Sequence, residues 1–177
     1  MKILYQGSPG AYSHLAALEV YPDAEIIPCK TFDECFSRAQ EDEKLKIIIP
    51  ESNKTTGNIG IEYLIFKYRL NIYAEHFHKI EHNLLGLPGT KITDITNVLS
   101  HAQGLYQCSN FIKKNNLIEN VGTDTAGSAK LIAKNKKISD AAIASKLSAK
   151  IYKLDIVVSN IENEKGNTTR FLIMGKS

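Results

Sequence analysis

The sequence contains no tryptophan, only three cysteines, three arginines against 19 lysines, and no apolar run near the ~18 residues of a membrane span. Each shortage narrows what the chain does. Cys29, Cys35 and Cys108 are odd in number, and no two have Cys-x-x-Cys spacing, so neither a disulfide framework nor a zinc knuckle is expected. They read as buried thiols of a reducing compartment. Between Lys2 and Gln6 stand only Ile3, Leu4 and Tyr5, too few for a signal-peptide core. The expectation is a soluble, cytoplasmic chain with no membrane partner. Lacking tryptophan and any basic–aromatic alternation, it has no stacking platform for nucleic acid. Residues 76–177 carry 14 basic and 8 acidic groups, against 8 and 11 in residues 1–75. Most lysines from Ala126 to Lys153 fall between apolar positions, the pattern of a solvated face.

What is present suits one ordinary domain or two small lobes: 177 residues, 43% hydrophobic and 23% charged. Short apolar runs predict strands at Lys2–Gln6, Glu25–Cys29, Lys46–Pro50, Asn71–His82, Asn97–Ser100, Ile118–Gly122, Ala141–Ser145 and Arg170–Met174. Helical spacing lies between them, at Ala11–Tyr21 (apolar face Ala11, Leu15, Leu18), Phe32–Gln40, Ala102–Lys114 and Thr125–Lys134. Such alternation predicts an α/β architecture with largely parallel sheets. The charge shift and the turn-rich Leu84–Gly89 place a boundary near residue 76. The first lobe then takes about 1–75 plus 160–177 and the second about 76–159, with a ligand cleft between them.

Few stretches suggest chemistry unaided. Gly7-Ser8-Pro9-Gly10 follows the first strand and opens a helix, whose free N–H groups suit an anion. Thr123-Asp124-Thr125 opens another helix, where Asp124 or Thr123 is equally a good N-cap. His76, His78 and His82 fall on one side of the predicted strand. With no Cys or Asp at ligand spacing beside them, they read as hydrogen-bonded structural histidines and no metal is expected. Scarcity of arginine draws attention to Arg170, whose planar head suits bidentate contacts. No Ser-His-Asp or Cys-His order is legible.

Taken in order, the motifs resemble the catalytic domain of the prephenate dehydratase family over almost the whole length. Tyr5-Gln6-Gly7 through Gly10-Ala11-Tyr12-Ser13-His14 is similar to its opening, and Pro50 through Gly57 to its Pro-x-Glu-Asn-Ser-x-x-Gly loop. His82-Asn83-Leu84-Leu85-Gly86 resembles the start of its second lobe. Ser100-His101-Ala102-Gln103 with Gln107-Cys108 resembles its Ser-His-Pro-Gln motif. Thr123–Ala126, Ala141–Ser145 and Asn167-x-Thr169-Arg170-Phe171 follow in register. The resemblance implies a fold of two α/β lobes like that of type II periplasmic binding proteins. It implies loss of the ring hydroxyl and ring carboxylate of prephenate to give phenylpyruvate, with no cofactor, and a homodimer.

By the same resemblance Thr169 corresponds to the catalytic threonine, the donor a departing hydroxyl needs. Asn53 and Gln103 match amides that hold carboxylate or hydroxyl, and Ser100 and His101 a supporting pair. Gly10, Ala11, Lys54, Thr123, Thr125 and Arg170 would bind the dianion. Strand alternation, however, sends Arg170 to the face opposite Thr169. Two departures stand out. Ser52-Asn53-Lys54 replaces the family's Glu-Asn-Ser, making the loop more positive, and the chain stops at Ser177, where a C-terminal regulatory ACT domain would begin. The first keeps alive a prephenate decarboxylase-like alternative without aromatisation. A non-catalytic anion-binding module is the alternative of another class.

Overall fold

The computed structural model describes residues 1–176. In chain order the first half holds β1 (Lys2–Gln6), α1 (Tyr12–Val20), β2 (Glu25–Cys29), α2 (Phe32–Glu41), β3 (Leu45–Asn53), β4 (Gly57–Asn58), α3 (Glu62–Tyr68) and β5 (Asn71–Lys79). Then come β6 (Asn83–Gly86), a 3-10 turn (Ile92–Asp94), β7 (Asn97–Ser100), α4 (Ala102–Gln107), α5 (Ser109–Lys114) and β8 (Ile118–Val121). The remainder is α6 (Thr125–Asn135), β9 (Asp140–Ala144), α7 (Lys146–Tyr152), β10 (Asp155–Val158) and β11 (Thr168–Gly175). No helix among the described residues is long and apolar enough to cross a membrane.

These elements form two compact units. The first comprises Met1–Ser8, Tyr12–Ile80 and the segment from Gly166 onward, and the second Pro9–Ala11 with Glu81–Lys165. In the first unit the strand order is β2-β1-β3-β11-β5, with β4 on β3. β1 pairs parallel with β2 and β3, while β11 runs antiparallel to both β3 and β5. In the second unit the order is β10-β6-β9-β7-β8, antiparallel at β6 and parallel where β7 meets β8 and β9. Both sheets are therefore mixed, not largely parallel. β11 returns from a distant part of the sequence, and β6 arrives directly from β5, so no crossover helix fixes either direction.

Alternation decides each core. Along β3, Ile47 and Ile49 face a cluster with Leu4, Phe36, Leu64, Leu172 and Met174, while Ile48 turns the other way. Along β9, Ala141 and Ile143 pack with Val98, Leu105 and Ile112, whereas Ala142 and Ala144 pack with Leu85, Ala129 and Ile132. Both faces of β9 are thus buried, each large aliphatic group contributing about 1.5–3 kcal/mol over exposure. Helix α1 buries Ser13, Ala16 and Ala17 in place of the expected Ala11, Leu15 and Leu18 face. Its polar residues Ser13, His14 and Glu19 are spread round the helix, so no apolar stripe fixes the face and the sheet's need for a close-lying helix selects the small side chains.

Two segments break where periodicity runs on. The expected strand Asn71–His82 ends at Lys79, which pairs with Thr168, the first residue of β11; beyond it Ile80 N–H donates to Asn167 O at 2.8 Å. The unit boundary accordingly falls between Ile80 and Glu81. The expected helix Ala102–Lys114 divides at Cys108 (φ −114°, ψ 13°). Asn163 fills the break: its N–H donates to Gln107 O at 2.7 Å, its Nδ2 to Tyr106 O at 3.2 Å, and its Oδ1 accepts from Asn110 N at 3.0 Å. The backbone groups freed by the break are satisfied by the backbone and side chain of one residue distant in sequence.

Candidate functional site

In the first unit the antiparallel ladder sets Thr169 opposite Asn53 on β3 and His78 on β5. Thr169 is buried, and its Oγ1 accepts a hydrogen bond from Asn53 Nδ2 at 2.8 Å. The orientation of that amide is fixed, because Asn53 Oδ1 accepts from the N–H groups of Thr55 (2.9 Å) and Thr56 (3.2 Å). With one lone pair taken by Asn53, the hydroxyl proton of Thr169 is left to donate, and no acceptor claims it among the described residues. The loop after β3 is tied down on both sides. Lys54 N–H donates to Thr168 O at 2.9 Å, and Thr55 Oγ1 to Asn167 Oδ1 at 2.9 Å. The Lys54 side chain stands in solvent.

Arg170 emerges on the opposite face from Thr169. Its Nε lies 2.7 Å from Glu75 Oε2 and one terminal nitrogen 3.3 Å from Glu51 Oε2. The Glu75 carboxylate, followed by Glu51, raises the guanidinium pKa. Two carboxylates thus engage the group expected to meet an anion, making Arg170 a brace across β3, β11 and β5.

The second unit holds the other expected residues, mostly spent on the backbone. Ser100 is fully buried and donates to Ile143 O at 2.7 Å. It also lies against α4: a side-chain carbon on Gly104 would meet Ser100 Oγ at 2.8 Å. His101 caps α4, its Nδ1 accepting from Gln103 N at 3.2 Å, so Nε2 carries the proton of the neutral ring. The side chains of His101 and Gln103 are exposed. Gly10 has φ +97° and its carbonyl accepts from Ser145 Oγ (2.6 Å) and Ser148 Oγ (3.1 Å); a side chain there would strike Ser148 Oγ at 2.5 Å. Ala11, beside it, is half-buried. At the start of α6 the Asp124 carboxylate accepts from Gly127 N at 2.6 Å, so a negative group already occupies the end where Thr123 and Thr125 were expected to receive an anion.

The three histidines part company. His82 lies beyond β5 in the second unit, with Nε2 2.7 Å from Gln107 Oε1 and its pKa lowered by burial. His76 and His78 stay on β5 and converge on Glu19 of α1, which no local pattern joins to them. Fifty-seven residues separate Glu19 from His76, and only the packing of α1 on β5 could disclose the contact.

Comparison with known proteins gives a consistent result. The family model described as prephenate dehydratase matches residues 3–177. Arogenate dehydratase/prephenate dehydratase 1 of Arabidopsis thaliana is 40% identical over 177 residues, covering 99% of this chain and 45% of its own length. The chain therefore spans about half the length of the curated relatives it matches. Among solved structures, one described as GqqA, a novel type of quorum quenching acylase, superposes with TM-score 0.91 at 33% identity, covering 100% of this chain and 64% of that one. Prephenate dehydratase of Arthrobacter aurescens, solved with L-Phe, gives 0.91 at 22% identity, covering 100% and 61%, and shows the shared fold. A Treponema pallidum lipoprotein at 0.52 and 9% identity, covering 98% and 82%, shares the fold more distantly. The expected cytoplasmic placement does not stand: six of the Arabidopsis relatives are chloroplastic by name. A missing signal core speaks only to secretion, not to other compartments.

Proposed function

Because the chain belongs to the prephenate dehydratase family, we propose that it converts prephenate to phenylpyruvate, releasing water and carbon dioxide. The observation that carries this reading is the 2.8 Å bond from Asn53 Nδ2 to Thr169 Oγ1, with the amide oxygen locked on two backbone N–H groups. Hydroxide leaves poorly, so the departing oxygen needs a proton or a strong hydrogen bond in the transition state. The Thr169 hydroxyl supplies it, and the Asn53 amide, taking one lone pair, aims the O–H outward. As the ring C–O bond breaks, the electron pair of the ring–carboxylate bond enters the ring, carbon dioxide departs and the ring becomes aromatic. The hydroxyl leaves as water with the donated proton, which solvent returns to Thr169.

Lys54 adds a charge complementary to the substrate dianion, and the amide of Gln103 offers donors that do not compete for the proton. Ser100 and His101 hold the backbone of that second segment in place. Gly10, Ala11, Thr123 and Thr125 stay in the reading as backbone contributors, whereas Arg170 braces the ladder. Arogenate, the aminated analogue that names many of the relatives, is the second substrate to be tried. The homodimer implied by the resemblance belongs to the same reading. The outer strand β5, which exposes Ile72, Tyr73 and Phe77, is consistent with it, and sedimentation across a concentration series tests it.

Incubating the chain with prephenate and following phenylpyruvate in alkali tests the activity. Aromatic keto acid formation supports it. Carbon dioxide without aromatic product would favour the decarboxylase alternative, and neither product a binding module.

A further inference from the structure

We propose that Glu19, His76 and His78 form a binding site for one divalent transition cation of the zinc class. His76 and His78 are alternate residues of β5 and so project from one face of the sheet. Helix α1 lies over that face and brings Glu19 to both. His76 Nε2 stands 2.7 Å and His78 Nδ1 2.9 Å from the same carboxylate oxygen, Glu19 Oε2. One ligand atom from each of the three residues falls within 4.8 Å of the others.

Two imidazole nitrogens and one carboxylate oxygen suit zinc or its neighbours and disfavour magnesium and calcium, which take oxygen ligands. Such an ion holds its ligands at ~2.0–2.2 Å, which in tetrahedral geometry sets them roughly 3.3 Å apart. The two nitrogen-to-carboxylate spacings are slightly tighter, those of hydrogen bonds. An outward swing of the exposed Glu19 carboxylate admits the ion, which takes the place of the protons now shared between the rings and the carboxylate.

The surroundings favour a defined site. His78 is buried and held between the rings of Tyr12 (centroids 6.1 Å apart) and Phe171 (6.5 Å), so its orientation is set before any ion arrives. His76 is half-buried and Glu19 exposed, leaving the fourth coordination position open to water. The thiols do not compete, since all three cysteines are buried and burial pushes their pKa values up. A bound ion would pin α1 to β5 beside Thr169, the ladder partner of His78. The site stands independently of the dehydratase reading.

Titration of the metal-free full chain with zinc chloride against a chromophoric chelator, and with cobalt(II) followed by visible absorption, tests the proposal. One ion should bind per chain, with the absorption of tetrahedral cobalt. Glu19→Gln and His76→Ala should each weaken zinc at least about tenfold, the least that loss of even a supporting group costs a metal site. Neither substitution opens the core, and circular dichroism verifies that both variants are folded. A large excess of magnesium chloride should leave zinc in place. A folded chain that binds no zinc, unchanged affinity in both variants, or displacement by magnesium would each overturn the proposal.

Discussion

The two units use similar polar residues to different ends. In the first, Asn53 and Thr169 address one another side chain to side chain, and a hydroxyl proton is left to give. In the second, Ser100 bonds a carbonyl, His101 and Asp124 cap helices, and Ser145 and Ser148 hold Gly10. A side chain committed to the backbone fixes where the chain runs. One committed to another side chain leaves a reactive group aimed and incompletely satisfied. The difference predicts that substitutions in the first unit act on turnover and those in the second on stability.

The largest expected effect is at Thr169. Removing the donor with Thr169→Ala should lower kcat by roughly 10²–10⁴ while moving KM much less, because the interaction matters in the transition state. Steady-state kinetics on the folded variant decide it, and near-normal kcat would take Thr169 out of the donor role. Asn53→Ala comes next, at roughly tenfold to a hundredfold, since it loosens the aim without deleting the proton. The double variant should fall little below Thr169→Ala alone, the non-additivity of groups that act as a unit. Full additivity would mean that the two act separately.

Ser100→Ala probes the other side of the comparison. Losing the buried bond to Ile143 O should cost about 1–2 kcal/mol in urea denaturation, with kcat changed by much less than in the Thr169 variant. A roughly thousandfold loss of kcat, comparable with the middle of the Thr169 range, would move Ser100 into the chemistry.

How much of this was legible beforehand differs between the units for physical reasons. β1, β2 and β7 match their apolar runs, α2 its helical spacing, and α6 its cap at Asp124. Helices α3 and α7 escaped notice. Each is seven residues long and ends on a left-handed residue, Arg69 or Lys153, with no glycine to mark the stop. β10 was missed as an edge strand with little apolar burial. The pairing of Asn53 with Thr169, 116 residues apart, could be suggested by motif resemblance but not by spacing. Nothing local joins Glu19 to His76 and His78, because a helix and an edge strand meet there only after the whole sheet is assembled. For the same reason the engagement of Arg170 by Glu75 and Glu51 is a fact of the ladder and not of the motif.

A smaller effect is one of pH, and the two units share it. Burial holds the His82 imidazole below its usual pKa. An unfolded chain then binds a proton that the folded one refuses, so stability is full above about pH 6.5 and falls as pH drops below it. His14, also lowered by burial, acts in the same direction. His82→Gln should flatten the decline of the unfolding free energy, read from urea denaturation between pH 7 and pH 5, by less than about 1.4 kcal/mol per pH unit, the limit for one proton. An unaltered slope would assign the decline elsewhere.

The smallest effect is expected at Lys54, the one exposed charge in the first unit's candidate cluster. Its backbone is held by the bond from Lys54 N to Thr168 O, so replacing the side chain should leave the loop, Asn53 and Thr169 where they are. What changes is the ammonium, proposed to attract the substrate dianion without touching the departing hydroxyl. Lys54→Ser should therefore raise KM by roughly two- to fivefold, the worth of an exposed ion pair, with kcat unaltered. Screening gives the second signature. Raising the ionic strength shortens the Debye length to about 8–10 Å and below, so the KM values of Lys54→Ser and the original chain should converge as salt is added. A fall in kcat instead would place the ammonium among the reacting groups. Equal KM values at low salt would make Lys54 a surface lysine, leaving the first unit's contribution to its hydroxyl and its amide.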